Sequence, residues 1–172
     1  MMTGVLVAMS GLPGSGKSAI ANELARELAA PVLAVDPIEA AIWRCGIPPS
    51  FETGVAAYEV AAALAEQQLA LGLTVITDSV SSLEVARTMW RQAAARSGAE
   101  LAIIEVICSD EIVHRERLAR RERDIPGFPE PSWADVQSRR AEWEPWIDAH
   151  LTVDTVRSLD SNVCDALAYL RR

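Results

Sequence analysis

The sequence predicts a three-layer α/β domain, a parallel sheet of five strands covered by helices. Three observations carry this prediction. Short uninterrupted apolar runs recur along the chain, amphipathic or Ala-rich stretches of helical period separate them, and the runs end on small or acidic residues. Half of the 172 residues are apolar and 23% are charged, the balance of a globular chain rather than a disordered one. That length fills one core and falls short of two ordinary domains, so a single domain over residues 1–172 is expected.

The first strand is Val5-Leu6-Val7-Ala8-Met9, apolar throughout as a strand covered on both faces must be, and closed by Ser10 and Gly11. Ile20, Leu24 and Leu28 then recur every fourth residue, with Glu23, Arg26 and Glu27 on the other faces, which is an amphipathic helix. A second strand, 31–35, ends at Asp36, and a helix is expected to begin within Ile38 to Trp43. Residues 56–71 read as an Ala-rich helix, 73–77 as a third strand ending at Asp78, and 82–97 as another helix. The remaining strands are 101–107 and 151–153, and a last helix runs from 161 to the end.

One stretch breaks the alternation. Residues 111–124 are helix-compatible but carry Arg115, Arg117, Arg120, Arg121 and Arg123, and a Pro- and Gly-containing run, 125–131, follows. A segment so charged has no place in a core, so residues 111–132 are predicted to form a mobile Arg-rich lid. Ser132-Trp133-Ala134-Asp135 has the spacing of a capping box and starts a helix that Pro145 ends or kinks. His114 and His150 read as surface or capping residues, and Trp133, Trp143 and Trp146 as core or hinge packing.

Charge and cysteine usage narrow the partners. A formal net charge of −8 argues against nucleic acid, whose phosphates attract a basic face. Cys45, Cys108 and Cys164 are scattered with no C-x-x-C pair, so neither a disulfide framework nor a zinc site is expected. With no basic n-region and no apolar span of membrane length, the chain is placed in the cytoplasm, away from membranes, as a monomer or homodimer.

The strongest local signal is Gly11-Leu12-Pro13-Gly14-Ser15-Gly16-Lys17-Ser18, which fits G-x-x-x-x-G-K-[ST] between a predicted strand and a predicted helix. Gly11, Gly14, Ser15 and Gly16 let successive N–H groups turn inward on phosphate oxygens, and the helix N-terminus adds positive charge. Lys17 reaches the β- and γ-phosphates and Ser18 ligates Mg²⁺. The absence of an N-K-x-D-like sequence favours ATP over GTP.

Ligands bind outside the carboxyl ends of strands in open α/β sheets, which gives weight to Asp36 and Asp78. Asp36 is the candidate general base toward an acceptor hydroxyl. Asp78, after a mostly apolar run, holds Mg²⁺ through water or binds the acceptor. Trp43, Arg44, Phe51 and Tyr58 lie where they would overhang the acceptor, though Trp43 and Phe51 are equally suited to packing. Arg117 and Arg121, four apart on a predicted helix, share a face and point at the triphosphate, with Arg120 on a neighbouring face. Asp154-Thr155 follows the fifth strand, where adenine rests in such folds, and would contact it mainly through backbone.

These residues resemble the P-loop small-molecule kinase family, which holds gluconate, shikimate and adenylylsulfate kinases and chloramphenicol phosphotransferase. The resemblance covers nearly the whole chain and is carried by residues 10–18, by Val35-Asp36-Pro37-Ile38-Glu39-Ala40, by Asp78, and by Arg117-Leu118 with Arg121. It implies a P-loop NTPase fold with strand order 2-3-1-4-5, and transfer of the γ-phosphoryl group of ATP, with Mg²⁺, to a hydroxyl of a metabolite or antibiotic. The second segment is similar to that of chloramphenicol phosphotransferase, which implies the base role for Asp36. The first motif differs from that enzyme's version, and the acceptor does not carry over. A nucleoside or nucleotide kinase, with Arg44 as the evident acceptor-side cation, and a regulatory P-loop ATPase are the alternatives.

Overall fold

The computed structural model describes residues 4–171. Strand β1 (Val5–Ser10) lies at the centre of one sheet between β3 (Val75–Asp78) and β4 (Glu100–Ile107), with β2 (Val32–Ala34) and β5 (Leu151–Asp154) at the edges. Every pairing is parallel and the order is 2-3-1-4-5, as the resemblance implies. Register aligns the strand ends that matter: Met9 and Ala34 both pair with Asp78, so the loops leaving β1, β2 and β3 open on one edge.

Alternate residues of β1 enter opposite cores. Leu6 and Ala8 pack with Val75 and Ile103 beneath α3 (Phe51–Ala70) and α4 (Glu84–Ser97), whose Ala61 and Trp90 are fully buried. Val7 and Met9 join Ile76 and Ile104 beneath α1 (Lys17–Leu28) and α7 (Leu159–Leu170) through Ile20, Leu24 and Ala166. A core covered from both sides explains why β1 reads as a continuous apolar run and β3 as a mostly apolar one, each large side chain contributing about 1.5–3 kcal/mol. Among the described residues no helix is long and apolar enough to cross a membrane.

The largest departures from the expected boundaries fall at three places. Helix α2 (Val35–Arg44) starts at once after β2, so Asp36 sits in its first turn rather than at a strand end. Pro37 is accommodated there because the first-turn N–H groups have no intrahelical acceptor to lose. Helix α3 begins at Phe51, earlier than predicted, because Ser50 and Thr53 form a reciprocal cap: the Thr53 N–H donates to Ser50 Oγ at 3.3 Å and the Ser50 N–H to Thr53 Oγ1 at 3.0 Å.

The third departure concerns the arginine segment. Helix α5 (Glu111–Ala119) ends before Arg120, not at residue 124. Its buried stripe consists of His114 and Leu118, and after the exposed Ala119 no apolar residue follows until Ile125, so a further turn would have nothing to pack against. Residues 121–125 continue without regular structure and residues 126–127 turn. Phe128 then stacks on Trp43 with ring centroids 4.7 Å apart, and Arg44 Nη1 donates to the Pro126 carbonyl at 3.2 Å. The predicted capping box is present: the Asp135 N–H donates to Ser132 Oγ at 3.2 Å and opens α6 (Trp133–Ala141), which ends before Pro145.

Candidate active site

The phosphate loop joins β1 to α1 and is shaped by positions that exclude a side chain. A Cβ on Gly11 would lie 2.4 Å from the Val106 carbonyl oxygen. Gly16, the residue preceding α1, has φ +96°, and a Cβ there would come within 3.1 Å of Thr155 Cγ2. The loop is strapped from behind: Thr155 Oγ1 donates to the Ser15 carbonyl at 2.7 Å, and Arg117 donates to Thr155 Oγ1 at 2.7 Å and to the Thr155 carbonyl at 2.8 Å.

Lys17 Nζ lies 3.8 Å from Asp78 Oδ1, and both side chains are almost wholly buried. Asp78 Oδ1 has no hydrogen-bond partner among the described residues. Buried polar atoms are ordinarily satisfied, so a carboxylate oxygen left open beside a lysine and an unpaired helix N-terminus fits a phosphate-bound divalent cation. The Ser18 hydroxyl, at the start of α1, is the second ligand available on the chain.

A groove above the loop is lined by Gly14, Lys17, Ser18, Arg117 and Arg121. The two arginines do not share a helix face, contrary to the spacing argument. Arg117 comes from α5, whereas Arg121 lies beyond its end and reaches the groove from the irregular segment, with Nε 3.7 Å from Glu130 Oε2. Arg120 stays outside, paired at the surface with Glu116. Asp154 turns its carboxylate to the backbone, accepting from the Ser109 and Val156 N–H groups at 3.1 Å each.

Beside the groove is a cavity of about 570 Å³ between α2, α3 and the segment 121–131. Asp36 and Glu39 enter it from one face of α2, and Trp43, Phe51, Val55 and Tyr58 supply aromatic and apolar wall. Arg123 Nη1 donates to Asp36 Oδ2, while its Nε donates to Glu130 Oε1 at 2.8 Å. Burial raises the Glu39 carboxyl above the usual carboxylate range despite the Thr53 hydroxyl that donates to it at 3.2 Å. Burial likewise raises the Tyr58 phenol, whose oxygen accepts from the Ser81 N–H at 3.1 Å.

Two sequence-predicted residues lie outside this cavity. Arg44 is exposed and holds the 121–131 segment by its outer side. Asp78 belongs to the groove, under Lys17. Three residues with site contacts were not assigned to the site from sequence. Glu39 had a findable signal, since it stands three residues after Asp36 on one helix. Arg123 reaches Asp36 across 87 residues, and His114 reaches Pro13 across 101, so neither had a local one. His114 is no surface residue: it is 1% exposed, its Nε2–H donates to the Pro13 carbonyl at 2.8 Å, and burial pulls its pKa down.

Residues 6–143 match the family model AAA_33, an AAA domain. Among solved structures, the fold is similar to an APS kinase of Mycobacterium tuberculosis crystallised with AMPPNP and APS, at 19% identity and TM-score 0.74, covering 100% of both chains. It is similar to a gluconokinase from Sinorhizobium meliloti at 24% identity and TM-score 0.71, over 99% of this chain and 93% of that one. Kti12 from Chaetomium thermophilum, in complex with ADP-AlF3, aligns at 15% identity and TM-score 0.71, over 95% of this chain and 98% of that one. No curated protein matches the sequence. The likeness to these structures is one of fold, a P-loop kinase-like fold whose neighbours include nucleotide complexes.

Proposed function

The chain belongs to the AAA_33 family of AAA domains, and from that premise we propose that it is an ATP-dependent phosphotransferase acting on a hydroxyl of a small molecule, a metabolite or antibiotic. It works as one kinase-like domain with residues 111–132 as its lid. The observation that carries this reading is Arg121, which lines both the phosphate groove and the cavity holding Asp36. A single guanidinium thus stands where donor and acceptor meet.

In this reading the loop N–H groups and Lys17 bind the β- and γ-phosphates, and Arg117 and Arg121 meet the charge that spreads over the transferring group. Ser18 and Asp78 hold Mg²⁺, which when bound neutralises charge on the phosphate oxygens. Asp36 takes the proton of the acceptor hydroxyl as that oxygen bonds to the γ-phosphorus, the bond to the β–γ bridging oxygen breaks, and ADP leaves. Arg123 occupies Asp36 in the structure described, so acceptor entry replaces that contact. Trp43, Tyr58 and Phe128 close the acceptor off from water.

The alternative, a nucleoside or nucleotide acceptor, would draw on the cations that line the cavity, Arg121, Arg123 and Arg139, of which Arg123 already faces Asp36 and Glu130. The test is an ADP-release screen over metabolites and antibiotics, with Lys17→Ala and Asp36→Asn alongside. A hit lost in both variants supports the assignment. Full activity in Asp36→Asn removes the proposed base, and acceptor-independent hydrolysis alone favours a regulatory ATPase.

A further inference from the structure

Behind the phosphate loop a second cavity, of about 470 Å³, opens at the carboxyl ends of β1 and β4. None of the described residues lining it also lines the groove or the acceptor-side cavity. Its position has a topological reason. The chain leaves β1 toward β2 at one edge and leaves β4 toward β5 at the other, and a crevice between neighbouring strands that part in this way is where open α/β sheets bind ligands.

Its walls combine opposite charges with an apolar floor. Val106, Ile107 and the Trp143 indole supply the apolar part. Glu105 from β4 and Glu111 from α5 bring carboxylates, and Arg140 from α6 brings a guanidinium. Arg140 is loosely held, donating to Glu111 Oε2 and His114 Nδ1 at 3.4 Å each. Ser15, 1% exposed, also lines the cavity, and its hydroxyl has no partner among the described residues. A buried hydroxyl without a partner is uncommon in a native fold and marks a place where a ligand atom or water completes it.

We propose that this cavity is a second small-molecule site whose ligand is a zwitterion, an α-amino acid with an apolar side chain. Its ammonium group donates to Glu105 and Glu111, its carboxylate accepts from Arg140 and the Ser15 hydroxyl, and its side chain lies on Trp143 and β4. A polyanion would meet two carboxylates. Glu105 is itself engaged only at one oxygen, which accepts from Thr152 Oγ1 at 3.3 Å and lies 3.5 Å from His150 Nε2. A simple amine would leave the Ser15 hydroxyl without an acceptor and Arg140 with only its long contacts, and a hydrocarbon would leave the Ser15 hydroxyl unmatched and improve none of the charged groups' contacts.

The test is isothermal titration of the full chain with L-leucine, L-methionine, L-phenylalanine and L-tryptophan, with phenethylamine and 3-phenylpropionate as single-charge controls. At least one amino acid is expected to bind at one site, about tenfold or more tighter than either control. Arg140→Gln, in a variant whose thermal unfolding matches the parent, is expected to weaken that binding by about tenfold. Should Arg140→Gln unfold, Glu105→Gln gives the same readout through the ammonium group. The proposal is overturned if none of the four binds at about 10 mM, if a control binds as tightly, or if the folded variant binds unchanged.

Discussion

Replacing Arg87 with alanine is expected to loosen the loop after β3 and the chain beyond α6 together. Arg87, on α4, is fully buried, and all its acceptors are backbone carbonyls. Its Nε donates to Ser81 at 2.9 Å, Nη1 to Pro145 at 2.9 Å, and Nη2 to Glu144 at 2.5 Å and more weakly to Ser82 at 3.4 Å. The guanidinium also lies 4.1 Å from the Trp146 ring centroid. Truncation leaves three well-bonded carbonyls unpaired, each costing about 1–3 kcal/mol where water cannot reach it, and opens a cavity under Trp146. The variant no longer bears the desolvation cost of burying a guanidinium, which offsets part of this, so a net loss of roughly 3–4 kcal/mol is expected. For a chain of this size that is a melting temperature lower by roughly 6–16 °C. Lysine, with one nitrogen in place of a fork, restores only part of it. Circular dichroism melts measure the shift, and limited proteolysis after Glu144 shows whether that stretch comes free. A melting temperature within about 2 °C of the parent would mean that the carbonyls find water and that Arg87 does not tie the segments together.

Two further outcomes follow from the loop and its support. Gly16→Ala forces a left-handed conformation costing roughly 1–2 kcal/mol and crowds Thr155, so AMPPNP affinity in calorimetry is expected to fall about tenfold or more; unchanged affinity would take Gly16 out of the cradle. For His114, burial outweighs the bond to Pro13, and Arg140 and Arg117 add to the lowering, so its folded pKa lies below the unfolded value of 6.5. Between the two values the unfolded chain binds a proton that the folded chain refuses, so stability falls as pH drops below 6.5. Urea midpoints measured from pH of about 7.5 down to about 5 should therefore decline less steeply in His114→Asn than in the parent.

What the sequence made legible was local. The phosphate loop, the strands themselves and the two aspartates depend on neighbours in the chain: glycines where the backbone must turn left, a lysine and serine at the first helical turn, apolar runs that stop at the sheet edge. The strand order came from the family resemblance instead. The start of α2 was misplaced because proline reads as a breaker unless its place in the first turn is known. The end of α5 was misplaced because charge spacing continued past Leu118 while the buried stripe did not. Packing, rather than charge, decides where a short helix stops.

The candidate site was legible only on its donor side, and the reason is physical. Phosphates are bound by backbone N–H groups, which any sequence able to form the loop presents in the same way. The acceptor side is made of side chains brought together from α2, α3 and residues 121–131, and its charges neutralise one another before any ligand arrives. Arg123 was visible as a lid arginine, but its pairing with Asp36 depends on the turn at Pro126-Gly127 and on Phe128 seating against Trp43. Under the proposed function these contacts would couple base and lid: a molecule that frees the Asp36 carboxylate must also displace Arg123, and with it the segment that carries Arg121 along the phosphate groove. If that coupling operates, acceptor binding and lid position are one equilibrium, and Arg123→Ala should lower the acceptor KM while raising acceptor-independent ATP hydrolysis. An unchanged ratio of hydrolysis to transfer would show that lid and base move independently.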